Sequence, residues 1–546
     1  MKEAVAAPQP AIQPKKESWV YAGTVDDPPV PIAAPIAVPS AANLNNDGNS
    51  NNLKPISLKD LELDIDLLQA QFLDYLNGEE GFSDVSTVFG GSLLNLTFPF
   101  NVKTVWKRVH QFAVMVQSAD YNRENILDLA RRARANLIAY KVIHEHQSVL
   151  TLVTDTANDA ASLEKDLVKV LANLTSKLYG WISPYYKSIY DMQMEYSESA
   201  KNSLPEMGLV FSAGKEHFEF ALHGILSLRN LLNCTLPIEV QYMGPEDLDP
   251  TMLKALDSIP GVKTVDILKK FSASEISGWA IKPFALLAAG FRTSIFIDAD
   301  ALFFQDPELA VKKSLLFREY GQLFYTDRSI FQPKYDSVNW FYTIDPVMTH
   351  YASTLRYTNG LSHHEMESGV VVVDKSRTDV LHALLLTCQL NSKTERGIVY
   401  SHTYGDKETF WMAWDMLRAG YKFTPNMGGT LGRMTQTGSV CGPLFHTDEF
   451  SDPLWWNGGP FECKYLSTKD YLDFNYVAFE TTGVGHKWEF YGEMPLCLLP
   501  GNPKKEVITL NAKQKKLGDG FIQLYKELRG EGGWKQYFNQ TLKTAF

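Results

Sequence analysis

The stretch "RTSIFIDADALFFQDPE", Arg292 to Glu308, decides the fold. An apolar run, "SIFI", stops at Asp298 and Asp300, which flank Ala299. Such a run bounded by turn residues suits a strand buried on both faces. The preceding residues repeat the theme with helices interposed. "GLVFSA" predicts a strand, "EHFEFALHGILSLRNLL" a helix, "PIEVQYMG" a strand, "PTMLKALDSI" a helix, "VKTVDIL" a strand and "WAIKPFALLAAG" a helix. This alternation predicts a parallel sheet with helices on both faces. In such sheets ligands bind beyond the carboxyl ends of the strands. Asp298 and Asp300 stand at that end, as do Ser212, Ala213 and Gly214 after the first strand.

The chain supplies its own control for the aspartate pair. Asp64 and Asp66 fall within the amphipathic "LELDIDLLQ" and are expected on a solvated helix face. Asp247 and Asp249 fall in the turn "GPEDLDP", where capping of a helix is expected. Only Asp298 and Asp300 follow a fully apolar strand in an α/β pattern. Hard divalent cations take oxygen ligands, and alternate residues just past a strand end can both turn toward one ion. Departure of a diphosphate from a sugar builds charge that such an ion neutralises.

Outward from this centre, the 546-residue chain divides by texture. Residues 1–55 are rich in Pro, Ala and Asn and are expected to be a disordered tail or stalk. Residues 56–203 carry apolar residues at three- and four-residue spacing, predicting a helical accessory or stem domain. Residues 204–500 form the α/β domain, and 501–546 a C-terminal extension of short helices packing back on it. The net charge of −11 argues against a nucleic-acid partner. No run of about 18 apolar residues predicts a transmembrane helix, and the start lacks the apolar segment of a signal peptide. The five cysteines include no CxxC pair, so a structural zinc site is not expected. Cys441 and Cys463 could pair, or both stay reduced.

Four further clusters offer chemistry. In "HHEMESGVVVVDK", Glu367, Ser368 and Gly369 enter an apolar strand, and Gly369 would let a ligand approach the backbone. Of the adjacent His363 and His364, one alone could touch a ligand. In "YGDKETFWMAW", Asp406 and Glu408 open a helix, where acidic residues also suit the dipole. In "FHTDEFSDPLWWNGGP", His446 ends an apolar stretch and could complete a metal site, and Trp455–Gly458 read as a loop able to stack on sugars. Lys282 opens a helix just ahead of the aspartate strand and could meet a phosphate.

Taken together in their order and spacing, "WAIKPFALLAAGFRTSIFIDADALFFQDPE", "EMESGVVVVDK", "YGDKETFWMAW" and "FHTDE…LWWNGG" resemble the fungal alpha-mannosyltransferase family that includes alpha-1,3-mannosyltransferases (glycosyltransferase family 71), over roughly residues 205–490. The resemblance implies a GT-A type nucleotide-diphospho-sugar transferase fold, a Rossmann-like mixed sheet. It implies GDP-mannose as donor, a glycan or glycoprotein acceptor, and retention of anomeric configuration. Mn²⁺ or another divalent cation would be held by Asp298 and Asp300, with His446 as a third ligand. Asp406, Glu408 and Glu367 would face the donor sugar and acceptor. Ser212, Ala213, Gly214, Lys282, Ala299, Ser368 and Gly369 would line the donor pocket. The family acts in the Golgi lumen as type II membrane proteins, so membrane association here would require an anchor beyond the given sequence. Three other functions fit parts of the pattern: a UDP-galactose or UDP-glucose transferase of the same fold, a haloacid-dehalogenase-type phosphatase, and a non-catalytic glycan-binding protein.

Overall fold

Alternation of side chains across a strand lets one apolar run serve two cores. The strand Met366–Asp374 (β7 in the numbering given below) is buried along its whole length. Val371 and Val373 enter one apolar cluster and Val370 and Val372 another. Each cluster is closed by helices, so the sheet is covered on both faces. The computed structural model describes residues 58–78, 85–89, 92–96, 100–197, 205–271, 276–329, 335–482, 486–491 and 494–544. The stretch 1–55, expected to be disordered, lies outside them.

The helical part holds α1 (Leu58–Leu76), α2 (Val102–Ser118), α3 (Ile126–His144) and α4 (Ala157–Leu178). It also holds a two-stranded ladder, Val85–Phe89 with Ser92–Leu96, absent from the helical expectation. The α/β part runs β1 (Met207–Ser212), α5 (Phe218–Asn230), β2 (Ile238–Tyr242), α6 (Pro250–Asp257), β3 (Val262–Asp266), α7 (Ile281–Ala288), β4 (Thr293–Ile297), β5 (Ala301–Phe303), β6 (Gln322–Thr326), β7, α8 (Thr378–Leu390), α9 (Lys407–Met416) and β8 (Phe423–Met434). Then follow β9 (Val440–Cys441), β10 (Leu444–Thr447), β11 (Pro453–Asn457), β12 (Tyr476–Glu480), β13 (Lys487–Tyr491), β14 (Met494–Leu499) and α10 (Ala512–Arg529).

The sheet order is β13-β14-β9-β8-β6-β7-β4-β1-β2-β3. The strands β4, β1, β2 and β3 are parallel, as the alternation predicts. The parallel run ends at β7, which runs antiparallel to both β4 and β6, giving the mixed sheet that the resemblance implies. The register sets Ile297 opposite Val370 and Phe211 opposite Ile297, so the ends of β4 and β1 and the start of β7 share one edge.

The helical part and the sheet helices bury their apolar residues in a single cluster, which includes Leu73, Leu129, Val170, Leu384 and Trp411. Buried charge also crosses between them. Arg418 donates to both oxygens of Asp74, at 2.8 and 2.7 Å. Asp66, expected in solvent, is fully buried and held by Arg131 at 2.8 Å and by Arg134. A buried carboxylate is tolerated only with such partners. The side chain of Asp64 lies outside the described residues. Asp249 does cap α6, accepting from the amides of Thr251 and Met252.

After the sheet, α10 buries Phe521, Leu524 and Leu528 against the α/β part. One disulfide is present, between Cys441 and Cys497. It joins residues that face each other across β9 and β14, which replaces the pairing with Cys463 considered from sequence. Cys463 is free.

Candidate active site

The run "TSIFI" is buried at every position, and the chain leaves β4 in a tight turn. The amide of Asp298 donates to the Gly369 carbonyl at 2.8 Å, and the amide of Ala301 donates back to the Asp298 carbonyl at 3.0 Å. The Asp300 carbonyl accepts from the amides of Gly458 and Gly459, at 3.1 and 2.8 Å. Ala299 is buried in the apolar cluster under α5. Two other segments, β7 at Gly369 and the chain after β11 at Gly458 and Gly459, thus pin the Asp-Ala-Asp turn, and the spacer residue anchors it from below.

Each aspartate faces a lysine. Lys282 donates to Asp298 Oδ2 at 2.9 Å and to Ser368 Oγ at 3.2 Å. Lys464 donates to Asp300 Oδ2. Burial opposes the charge on Lys282, but the Asp298, Asp406 and Glu367 carboxylates outweigh it and hold its pKa above the ordinary value. Burial pushes the Asp298 carboxyl up to about 7 against the pull of Lys282, and Asp300 and Glu367 add to the rise. Asp406 is buried beside this group, and its Oδ2 has no hydrogen-bond partner among the described residues.

A second charged group adjoins the first through Glu367. Its Oε1 accepts from the Gly369 amide at 3.0 Å, and Lys407 lies 3.9 Å from its Oε2. Lys407 also donates to Asp327 Oδ2 at 2.6 Å. Burial raises the Asp327 pKa, yet Lys407, Arg328 and His364 overcome it and keep the carboxyl below its usual range. Asp327 follows β6 as Asp298 follows β4, and Tyr325 of β6 pairs with Glu367 of β7.

The structure separates the remaining expected residues. Gly369 touches the site, because a Cβ there would sit 3.0 Å from Asn457 Nδ2, 3.0 Å from Glu367 Oε1 and 3.1 Å from the Trp455 ring. Ser212, Ala213 and Gly214 lie at the same sheet edge, one strand over from Asp298. There the Gly214 position is closed against the Asp247 carboxylate, which itself accepts from the Met243 amide at 2.9 Å. Glu408 faces away from solvent altogether. It accepts from the Glu365 amide at 3.0 Å, the Met366 amide at 3.4 Å and the Trp411 indole at 2.5 Å. It braces the start of β7. Burial pushes its carboxyl up to about 8.

His446 does not join the aspartates. It is buried, stacked on Trp455 with ring centroids 4.3 Å apart, and edge-on to Tyr325. Its Nε2 lacks a hydrogen-bond partner among the described residues, and burial lowers its pKa to about 3. Trp455 and Trp456 are not a sugar-stacking loop. Both are fully buried in β11, which pairs with β10 and β5.

Among the described residues no group of three or more His, Cys, Asp and Glu side chains is gathered to hold a metal by itself. Two carboxylates on alternate turn positions still fit a hard cation that takes its other ligands from phosphates and water. The donor set therefore suits a cation arriving with a diphosphate rather than a closed protein cage. Asp327 and Lys464 are the site residues that sequence inspection missed. Asp327 carries the same signal as Asp298, an apolar run ending in Asp; nothing in "ECKYL" marks Lys464.

Residues 206–448 match a family model described as "Mannosyltransferase putative". The chain is 24% identical over 349 residues to the Candida albicans protein named "Putative alpha-1,3-mannosyltransferase MNN1", covering 52% of this chain and 42% of that one. It is 24% identical over 355 residues to the Saccharomyces cerevisiae "Alpha-1,3-mannosyltransferase MNN1", covering 52% and 45%. The chain spans about half the length of the curated relatives it matches. Among solved structures, the S. cerevisiae mannosyltransferase Ktr4p in complex with GDP overlays at a TM-score of 0.27 with 12% identity, covering 44% of this chain and 82% of that one. An overlay that slight carries no argument. No helix among the described residues is long and apolar enough to cross a membrane.

Proposed function

We propose that this chain is a retaining glycosyltransferase of the GT-A type that moves mannose from GDP-mannose to a glycan or glycoprotein acceptor, forming an alpha-1,3 linkage. The observation that carries this is the Asp298–Ala299–Asp300 turn. It leaves a buried strand at the ligand-binding edge of the sheet, each carboxylate faces a lysine, and it lies within the stretch matching the mannosyltransferase model. The sugar and the linkage come from the names of the curated relatives.

Asp298 and Asp300 would hold Mn²⁺ or another divalent cation, which when bound neutralises the charge that collects on the departing diphosphate. Lys282, fixed by Asp298 and Ser368, places a permanent positive charge at the same edge. Transfer breaks the bond between the anomeric carbon and the diphosphate oxygen and joins that carbon to an acceptor oxygen. The acceptor hydroxyl must shed a proton, and Asp406, whose buried Oδ2 has no hydrogen-bond partner among the described residues, would take it. Glu367, held by the Gly369 amide beside Lys407, presents its carboxylate toward positive charge at the anomeric carbon. Glu408 acts as a brace rather than a reacting group.

The Cys441–Cys497 disulfide belongs in an oxidising compartment, which supports placement in the Golgi lumen. The test is nucleotide release from GDP-mannose, UDP-galactose and UDP-glucose with Mn²⁺ and mannose oligosaccharides. GDP release from GDP-mannose alone is expected. UDP release would reassign the donor, and phosphate release without an acceptor would make the protein a phosphatase.

A further inference from the structure

The chain buries the tryptophans expected to meet sugar and exposes a different aromatic pair at the site. Trp279 is 54% exposed and Tyr404 60% exposed. Their ring centroids lie 5.7 Å apart with the planes inclined by 35°. Large apolar side chains in water forgo about 1.5–3 kcal/mol of burial each, so an exposed pair at a site marks a binding surface.

The backbone is shaped to hold them there. Gly278 and Gly405 both take positive φ, +56° and +72°. A Cβ at Gly405 would lie 2.8 Å from the Trp279 indole, so the indole rests on a glycine that leaves it room. Tyr404 is steadied from behind by His364, edge-on at 5.4 Å, and by Lys407, 5.6 Å from its ring centre. Both aromatics sit a few residues before site groups. Trp279 precedes Lys282, and Tyr404 precedes Asp406 and Lys407.

We propose that Trp279 and Tyr404 form the acceptor platform, seating a hexopyranose ring of the glycan acceptor against their exposed faces. This rests on the glycosyltransferase assignment. A pyranose offers a flat face of C–H groups for the aromatic rings, and Lys407, 5.6 Å from the Tyr404 ring centre and 3.9 Å from Glu367 Oε2, ties this exposed face to the charged site.

The test is calorimetric titration of the full chain, with Mn²⁺ and GDP present, using mannotriose. Wild-type protein should bind it, and Trp279→Ala and Tyr404→Ala should each weaken binding about tenfold, a loss typical of a stacked ring. Trp279→Phe and Tyr404→Phe should keep most of the affinity. Both alanine positions are exposed, so thermal melting of these variants should match the wild type. Equal mannotriose affinity in wild type and Trp279→Ala overturns the platform, as does absence of binding to wild type. A wild-type dimer that Trp279→Ala converts to monomer also overturns it, by making the face a self-association surface. GDP-mannose titrated into the same proteins with Mn²⁺ and without GDP separates the two failures. Its failure to bind refutes the donor assignment alone, while the mannotriose result still decides the platform.

Discussion

Replacing Lys282 with Met should strand a buried charge. Lys282 and Asp298 are 2.9 Å apart, with side chains only 10% and 20% exposed. Methionine keeps the length of the side chain and removes the ammonium. Asp298 is then left facing the Asp300 and Glu367 carboxylates, which both oppose its charge. Breaking a buried pair from one side costs about 3–5 kcal/mol. The solvent contact that Asp298 retains puts this case near the lower bound, at about 3 kcal/mol. Asp298→Asn should cost less, about 1–2 kcal/mol, because Lys282 keeps Ser368 and the attraction of Asp406 and Glu367. The double variant removes both charges and should lose less than Lys282→Met alone, with a coupling of about 2 kcal/mol.

The penalty also depends on pH. Burial already lifts the Asp298 pKa to about 7 with the lysine present, and losing the lysine lifts it further. A carboxyl whose folded pKa is raised favours the folded state at low pH and loses that contribution as pH rises. The cost of Lys282→Met should therefore be largest at pH 8 and shrink toward pH 5. Urea unfolding of the four proteins, followed by tryptophan fluorescence at both pH values, measures it. Losses that add within about 0.5 kcal/mol, or a penalty that grows toward pH 5, would refute the ion-pair argument.

Cys441→Ser should lower stability by roughly 4 kcal/mol, from the 56-residue separation of the bridged cysteines, and reductant should destabilise the wild type alone; equal sensitivity of both to reductant would count against the bridge. Gly369→Ala places a Cβ near 3.0 Å from Asn457 and Glu367, so nucleotide release should fall at least tenfold for roughly 1–3 kcal/mol of stability, measured on the same preparation by assay and melting. Glu408→Gln sets an amide N–H against one of three N–H donors. Because the folded pKa of Glu408 is raised to about 8, its contribution to stability declines as pH rises from the unfolded value toward 8. The glutamine variant, which does not titrate there, should trail the wild type more at pH 5 than at pH 8 in thermal melts.

How much of this was legible follows from where each signal lives. The strand ending at Asp298 was readable because apolar run, turn and acid are contiguous. Its neighbours β1, β2 and β3 were readable because helices separate them, which requires parallel pairing. The reversal at β7 was not, since "VVVV" reads the same in either direction and the long excursion after β6 sets its sense. Trp455 and Trp456 resembled a loop because two glycines follow them, yet β10 and β5 claim both sides of that strand. Asp66 looked solvated because its helix shows no sign of Arg131 and Arg134 on another helix. Lys464 meets Asp300 across 164 positions of chain, and Cys497 meets Cys441 through strand register. Pairings of that kind arise only in three dimensions.

The central claim is that Asp298 and Asp300 hold a divalent cation together with the donor diphosphate. Titrating Mn²⁺ into the protein in the presence of GDP, with electron paramagnetic resonance reporting free Mn²⁺, tests it without any acceptor. The wild type should remove about one Mn²⁺ from solution per chain, and Asp300→Asn should leave it free while melting as a folded protein. Mn²⁺ uptake unchanged by Asp300→Asn would contradict the account.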